Sequence, residues 1–100
     1  LTDPEMIRAV EAGGWWRSPT GWVYGRASPR WNLPGHDYRN FATADDGGAE
    51  CVRACVGAGQ CRAMTWVRAG IQGRAAQCWL KNGIPAPEQN ADTAAALIRP

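Results

Sequence analysis

The four cysteines are the residues of this sequence whose possible chemistry is easiest to define. Their spacing is C-x3-C-x5-C-x16-C, beginning at Cys51. Structural zinc sites usually contain tight C-x2-C pairs, and a redox-active C-x-x-C is also absent here. Four cysteines in a chain of 100 residues instead favour two disulfide bonds formed in an oxidising compartment. Zinc binding and free thiols stay open as the less favoured alternatives.

The first two cysteines belong to a predicted helix. Cys51 and Cys55 are four residues apart, which puts them one turn apart on one side of a helix that runs to about Val56. Asp45 and Asp46 precede this helix, and either carboxylate suits its N-terminus. We therefore expect the helix to lie on a sheet with both cysteines facing it.

The other two cysteines, Cys61 and Cys78, belong to a predicted β-hairpin. Its strands are expected at residues 61–68 and 76–81, with a glycine-containing loop at 69–75. If both cysteines face the helix, strand alternation sends every second side chain to the outer face. The outer face would then carry Met64, Trp66, Trp79 and Lys81.

The pairing of the cysteines is an expectation at this point. A Cys55–Cys61 bond would join the end of the helix to the first strand. A Cys51–Cys78 bond would join the start of the helix to the second strand. Four cysteines allow three pairings, and the sequence alone does not choose among them.

The chain divides into an N-terminal extension at residues 1–30 and a predicted core at residues 31–100. A capping-box pattern begins a short predicted helix over residues 1–12. A turn sequence between Trp15–Arg17 and Trp22–Tyr24 predicts a small β-hairpin. A lone hairpin is marginal in water, so we expect one of its faces to pack on something.

Four short motifs in the core carry a family resemblance. Residues 35–41 read GHDYRNF; the C-x3-C pair, CRAMTW from Cys61 and CWLK from Cys78 follow. As a set, they resemble the PAN/apple domain family in its bacterial form, over about residues 31–100. The resemblance implies an α+β fold in which a small, disulfide-stapled antiparallel sheet curls around one helix. It also implies the cysteine pairing given above, and an extracellular module without catalytic residues that binds proteins or carbohydrates, as in microbial adhesins.

Three further segments complete the predicted core. Tyr38–Phe41 is a predicted strand, residues 28–30 are a connector, and Ala94–Ile98 is a last strand at a sheet edge. The chain lacks the extra cysteine pair that joins the termini in the fuller apple pattern. We therefore expect the terminal segments to be held by hydrogen bonds and packing alone.

Aromatic and arginine side chains are the candidates for a ligand or partner surface, because Trp, Tyr and Arg dominate such sites. These candidates are Trp15, Arg17, Trp22, Tyr24, Trp66, Trp79, Arg68 and Arg74. The first four would stack on sugar rings, contact a protein partner, or cover the outer face of the sheet and enlarge the core. These three roles stay open. Arg68 and Arg74 flank a loop that we expect to be exposed.

Catalysis, a cofactor and a metal site find no support in the sequence. His36 and Asp37 have no nucleophile or second ligand near them, which favours a loop role. The net charge of +2 without a basic cluster does not indicate a nucleic-acid partner. The sequence contains no apolar run of about 18 residues, the length that would predict a membrane span. We expect a non-enzyme without a cofactor.

Two functions follow from these observations. The first is an extracytoplasmic binding module (secreted, periplasmic or at the cell surface) whose ligand is a protein or a glycan. The second is a structural subunit of a secreted or cell-surface assembly, which docks through its Trp-rich N-terminal segment on another chain or another copy. The apolar content of residues 1–30 favours the second. Because the chain starts at Leu1 without a leader pattern, we expect a mature or excised form.

Overall fold

The computed structural model describes residues 22–100 of the chain. In this part the elements follow one another as β1 (Ser28–Asn32), β2 (Asp37–Thr43), α1 (Ala49–Val56), β3 (Ala63–Val67), β4 (Ala76–Lys81) and β5 (Glu88–Leu97). This confirms the predicted helix, the strand after Gly35 and the β3–β4 hairpin. The helix predicted at residues 1–12 lies outside the described residues, as do Trp15 and Arg17 of the predicted N-terminal hairpin.

The strands of the described part form one antiparallel sheet in the order β1-β5-β3-β4-β2. The last strand, which was predicted at a sheet edge, is therefore internal and pairs with both β1 and β3. Residues 94–98 are all buried, and such a run without polar alternation is typical of a strand covered on both faces. The edge-strand prediction was wrong because β1 pairs with β5 on the side away from β3.

The edge beside β5 is taken by β1, whose first residues were predicted as a connector. Ser28 pairs with Ala95 and Pro29 with Ala94, and the register shifts before Trp31 pairs with Gln89. Proline has no N–H to donate, so an edge strand is the place in a sheet where it fits.

Helix α1 covers one face of the sheet and buries Cys51 and Cys55 against it. The main residues of the core on this face are Cys51, Cys55, Cys61, Met64, Trp66, Cys78, Leu80, Ala96 and Ile98. The opposite face carries Trp79 and Lys81, and we call it the far face. Trp79 and Lys81 are thus on the side that the sequence predicted.

The predicted outer position of Met64 and Trp66 is wrong, since both are buried on the helix side. Trp66 pairs with Cys78, and Trp79 pairs with Thr65. The prediction counted strand alternation from Cys61, but β3 begins only at residue 63, after a loop. A strand's alternation cannot be carried back through a loop, so every side chain of β3 was assigned to the wrong face.

The two disulfide bonds join Cys51 to Cys78 and Cys55 to Cys61, with Cα–Cα distances of 5.4 Å and 5.2 Å. This is the expected pairing, and it uses all four cysteines. Each cysteine is fully buried. One bond therefore connects α1 to β4 and the other connects the end of α1 to the loop before β3, so the cysteines are part of the scaffold.

Side chains from other elements satisfy both ends of α1. At its start, the Asp45 carboxylate accepts hydrogen bonds from the backbone N–H groups of Gly48 and Glu50, each at 3.0 Å. At its end, the Arg99 guanidinium donates to backbone carbonyls of the helix and the loop after it. These carbonyls belong to Cys55, Val56, Ala58 and Cys61. The C-terminal segment is thus held by hydrogen bonds.

Gly48, the residue just before α1, lies close to the β3 side chains Met64 and Trp66. Its φ of +100° lies in the left-handed region, and an added Cβ would come within 3.1 Å of Met64 Cε. Only glycine meets both conditions without strain. Within residues 22–100, no helix is long and apolar enough to cross a membrane, since α1 has only eight residues.

Candidate ligand-binding cleft

The part of the far face near β1 is covered by three aromatic side chains. Trp22, Tyr24 and Trp31 pack on a small second core made of Leu33, Ala63, Ala95 and Leu97. The Trp22 and Trp31 rings meet edge to face, with centroids 5.8 Å apart. The Gly25 N–H donates to the Leu97 carbonyl at 2.6 Å and ties this segment to β5. Trp22 and Tyr24 thus contribute to the core, while each stays partly exposed.

Beside this second core, the far face contains a cleft of about 280 Å³, which we call the Trp79 cleft. Strands β3 and β4 supply its floor through Thr65, Val67, Trp79 and Lys81. Its walls come from the β1–β2 connection (residues 33–37), the β3–β4 loop (residues 71 and 72) and the start of β5 (residues 90–93). Three segments that are far apart in the sequence therefore meet around one tryptophan.

Lys81 lies at the base of the cleft and is only 2% exposed. Its Nζ donates to Asp37 Oδ1 at 2.5 Å and to the Gly35 carbonyl at 3.0 Å. Asp37 and Lys81 are cross-strand neighbours of β2 and β4, which fixes the pair in place. Burial of a charge requires such pairing, because an uncompensated buried charge costs several kcal/mol. An ammonium group has three N–H donors, and these two bonds use two of them.

The turn before Asp37 contains the Gly35 carbonyl that accepts a hydrogen bond from Lys81. Gly35 and His36 both have positive φ values, of 88° and 60°, and together they form a sharp bend in the connection from β1 to β2. The His36 carbonyl accepts a hydrogen bond from the Asn82 N–H at 3.0 Å. The His36 ring lies against Gly83, where an added Cβ would come within 2.7 Å of His36 Nδ1. His36 is thus a loop residue, as predicted, and Asp37 is the partner of Lys81.

Trp79 forms part of the cleft surface and is held by the β3–β4 loop. Its indole Nε1–H donates to Gln72 Oε1 at 2.8 Å. Ile71, which precedes Gln72 in the loop, is a large apolar side chain that is 45% exposed. The hydroxyl of Thr65, the cross-strand neighbour of Trp79, accepts from the Leu33 N–H and donates to the Leu33 carbonyl. The indole is therefore oriented from one side and accessible at the cleft.

The rim of the cleft carries a second ion pair. Arg68 Nε lies 2.7 Å from Asp92 Oδ1, and the Arg68 backbone N–H also donates to the Asp92 carbonyl at 3.0 Å. Both side chains are well exposed, so this pair contributes little to stability. Its effect on the cleft is electrostatic, because it neutralises the Asp92 carboxylate at the end of the site.

Arg68 and Arg74 also line a wider depression of about 720 Å³ at one end of the sheet. Trp66 contributes to its base but is only 8% exposed, and its Nε1–H donates to the Asp45 carbonyl at 3.2 Å. Trp66 is thus a core residue with a satisfied polar group, and Trp66 and Trp79 do not share a surface. The two arginines that the sequence grouped together are brought together here.

Sequence reasoning picked out Trp79 and Arg68 but did not assemble the cleft around them. Lys81 was placed on the correct face without its partner Asp37, because the two are 44 residues apart. Gln72, Asn90 and Asp92 were not proposed, and no local pattern marks them. In residues 22–100, no group of three or more His, Cys, Asp or Glu side chains is arranged to hold a metal ion.

Comparison with known proteins identifies the type of domain. The sequence model of a family described as PAN domain matches residues 31–81. The match spans β2 to β4, both disulfides and the Trp79–Lys81 segment, and it ends before β5. No curated protein and no solved structure matches the chain. The residues of β5 that close the cleft therefore lie outside the matched segment.

Proposed function

Because the chain belongs to the PAN domain family, whose members are generally protein- or carbohydrate-binding modules, we propose that it is an extracytoplasmic, non-catalytic binding module. Its ligand is a protein or a carbohydrate, and it binds at the far face. The observation that carries this proposal is the Trp79 cleft. An accessible indole beside fixed polar groups is the usual composition of a binding site.

The disulfide bonds support the location outside the cytoplasm. Both are completely buried; one connects the single described helix to β4 and the other connects it to the loop before β3. Disulfides of this kind form and persist in oxidising compartments. A secreted, periplasmic or surface-attached protein fits this chemistry.

The fold separates the scaffold from the site. The helix side of the sheet holds the cysteines and the main core. The far face is divided between the aromatic cover around Trp22 and the Trp79 cleft. A ligand at the cleft therefore contacts residues on β4, on two loops and on β5 without disturbing either disulfide.

The proposal is tested by measuring binding of the full, oxidised chain to a panel of extracellular proteins and glycans. We expect saturable binding to at least one member of the panel. The matched control is the same protein after reduction and alkylation of its cysteines, which should lose this binding with its fold. An oxidised, folded chain that binds nothing on the panel would count against a binding module.

The second candidate is a structural subunit that docks through the Trp-rich N-terminal segment. The partial exposure of Trp22, Tyr24 and Trp31 favours it, because together they form an aromatic surface beside β1. Light scattering after size exclusion tests it with the chain alone. Stable self-association that is weakened by Trp22→Ala supports this candidate, and a monomer at all concentrations contradicts self-docking.

A further inference from the structure

The charges around the Trp79 cleft cancel in pairs. Lys81 is neutralised by Asp37 at 2.5 Å, and Asp92 is neutralised by Arg68 at 2.7 Å. The groups that could attract a charged ligand are therefore already paired with each other. An anion would also face the carboxylates of Asp37 and Asp92. Charge complementarity at this site favours a neutral ligand.

The same groups keep hydrogen-bonding capacity that the fold does not use. Lys81 has a third N–H, and the bond from Lys81 to Asp37 uses only one of the two carboxylate oxygens. The side-chain carbonyl of Asn90 accepts from the Asp92 N–H, which leaves its NH₂ group as a donor. Gln72 likewise uses its carbonyl oxygen for Trp79. The cleft thus offers three donor groups and one carboxylate acceptor to the hydroxyl groups of a sugar ring.

An apolar surface lies next to these polar groups. The Trp79 indole and the exposed Ile71 side chain line the cleft together. The C–H face of a pyranose ring packs on such a surface while its hydroxyls reach the polar groups. The volume of about 280 Å³ suits one such ring and is too small for a folded protein segment.

An extended peptide does not fit the site in the way that sheets usually bind peptides. Peptide addition needs a sheet edge with unpaired backbone groups. The cleft is floored by β3 and β4, and each of these strands is paired on both sides. These two strands therefore offer only side chains to a ligand.

We propose that the Trp79 cleft binds one neutral pyranose residue of a glycan, with Trp79 as the stacking surface and Lys81, Asp37, Asn90 and Gln72 as hydrogen-bonding groups. This inference rests on the proposed binding function and narrows its ligand to a class of sugar. Lys81 acts at the base of the cleft, where it also fixes the 33–37 wall through its bond to the Gly35 carbonyl.

The test is an NMR titration of the full, oxidised chain with the methyl pyranosides of glucose, galactose, mannose and N-acetylglucosamine. Glucuronate serves as the charged ring of matched size. We expect at least one neutral pyranoside to shift the Trp79 indole signal and the Gln72 and Asn90 side-chain amides. The Trp66 indole should not shift, because it lies on the other side of the sheet. Glucuronate should bind at least about tenfold more weakly, a difference of about 1.4 kcal/mol.

Two variants separate stacking from folding. Trp79→Ala should weaken binding of the neutral sugar by at least about tenfold, whereas Trp79→Phe, which keeps an aromatic face, should retain most of the affinity. Tighter binding of glucuronate would overturn the neutral-ring assignment. If no pyranoside shifts the cleft signals but the chain binds a protein on the panel, the sugar inference fails and the binding module stands. If neither is bound, both fail.

Discussion

Removal of each disulfide in turn tests how the scaffold is stabilised. The variants are C51A/C78A and C55A/C61A, and each deletes two fully buried sulfur atoms from the same core. The packing loss is therefore similar in the two variants. They differ in the length of chain that the lost bond had closed, which is 27 residues in sequence separation for one bond and 6 for the other.

The expected magnitudes follow from the entropy of loop closure. With separations of 27 and 6 residues, the bonds stabilise the fold by about 3.5 kcal/mol and about 2.2 kcal/mol through the unfolded state. C51A/C78A should therefore be less stable than C55A/C61A by about 1.3 kcal/mol. With the unfolding slope typical of a small domain, this corresponds to a difference of about 0.5–1 M in the urea midpoint.

Urea unfolding without reductant, followed by Trp fluorescence and by circular dichroism, measures both midpoints. The wild-type chain and the variant C51A/C78A/C55A/C61A complete the cycle and show whether the two bonds act independently. Equal midpoints, or a lower midpoint for C55A/C61A, would refute the argument from loop length. In that case local packing at the end of α1 would have to dominate.

Three single substitutions test other contacts of the scaffold, each by urea unfolding against the wild type. Lys81→Met should lower the free energy of unfolding by about 1–3 kcal/mol, because it leaves Asp37 unpaired. The loss is smaller than for a fully buried pair because the Asp37 side chain is 35% exposed. Equal stability of variant and wild type would contradict a structural ion pair. Arg99→Ala should cost about 1–2 kcal/mol through the carbonyls left without a donor at the end of α1, and hydrogen exchange in residues 56–61 should accelerate, with Arg99→Lys as the milder control. Gly48→Ala should cost about 1–3 kcal/mol because of its positive φ and its approach to Met64; a neutral effect would show that the helix can shift away from the sheet.

Local patterns and the motif set were enough to predict helix α1, the β3–β4 hairpin and the disulfide pairing. The helix was predicted from the spacing of Cys51 and Cys55, and the hairpin from two short apolar runs around a glycine-containing loop. The motif resemblance added the disulfide pairing. These features depend on residues close in sequence, or on a combination of motifs that is itself specific.

The wrong assignments arose where a decision depended on distant parts of the chain. Whether β5 is an edge or an internal strand depends on β1. The segment of β1 that contains Pro29 was predicted as a connector. The face of Trp66 depends on the loop at residues 61 and 62, whose geometry no alternation pattern records. A run such as residues 94–98, apolar without interruption, is the signal that could have corrected the position of β5.

The candidate cleft was the least predictable part. Its ion pairs join residues far apart in the chain, Arg68 with Asp92 and Lys81 with Asp37. Only the register of five strands brings these side chains to one place. Sequence reasoning therefore found Trp79, Arg68 and the face of Lys81, but not the partners of these residues.

Comparison of two single variants tests the central claim, ligand binding at the far face, most directly. Calorimetry would measure the affinity of the full, oxidised chain for the tightest ligand of the panel, with Trp79→Ala and Ile84→Ala beside the wild type. Ile84 is 40% exposed and does not line the cleft, so it controls for the loss of an exposed apolar side chain. We predict that Trp79→Ala weakens binding at least about tenfold and that Ile84→Ala changes it less than about twofold. Wild-type affinity in a folded Trp79→Ala protein would contradict the claim.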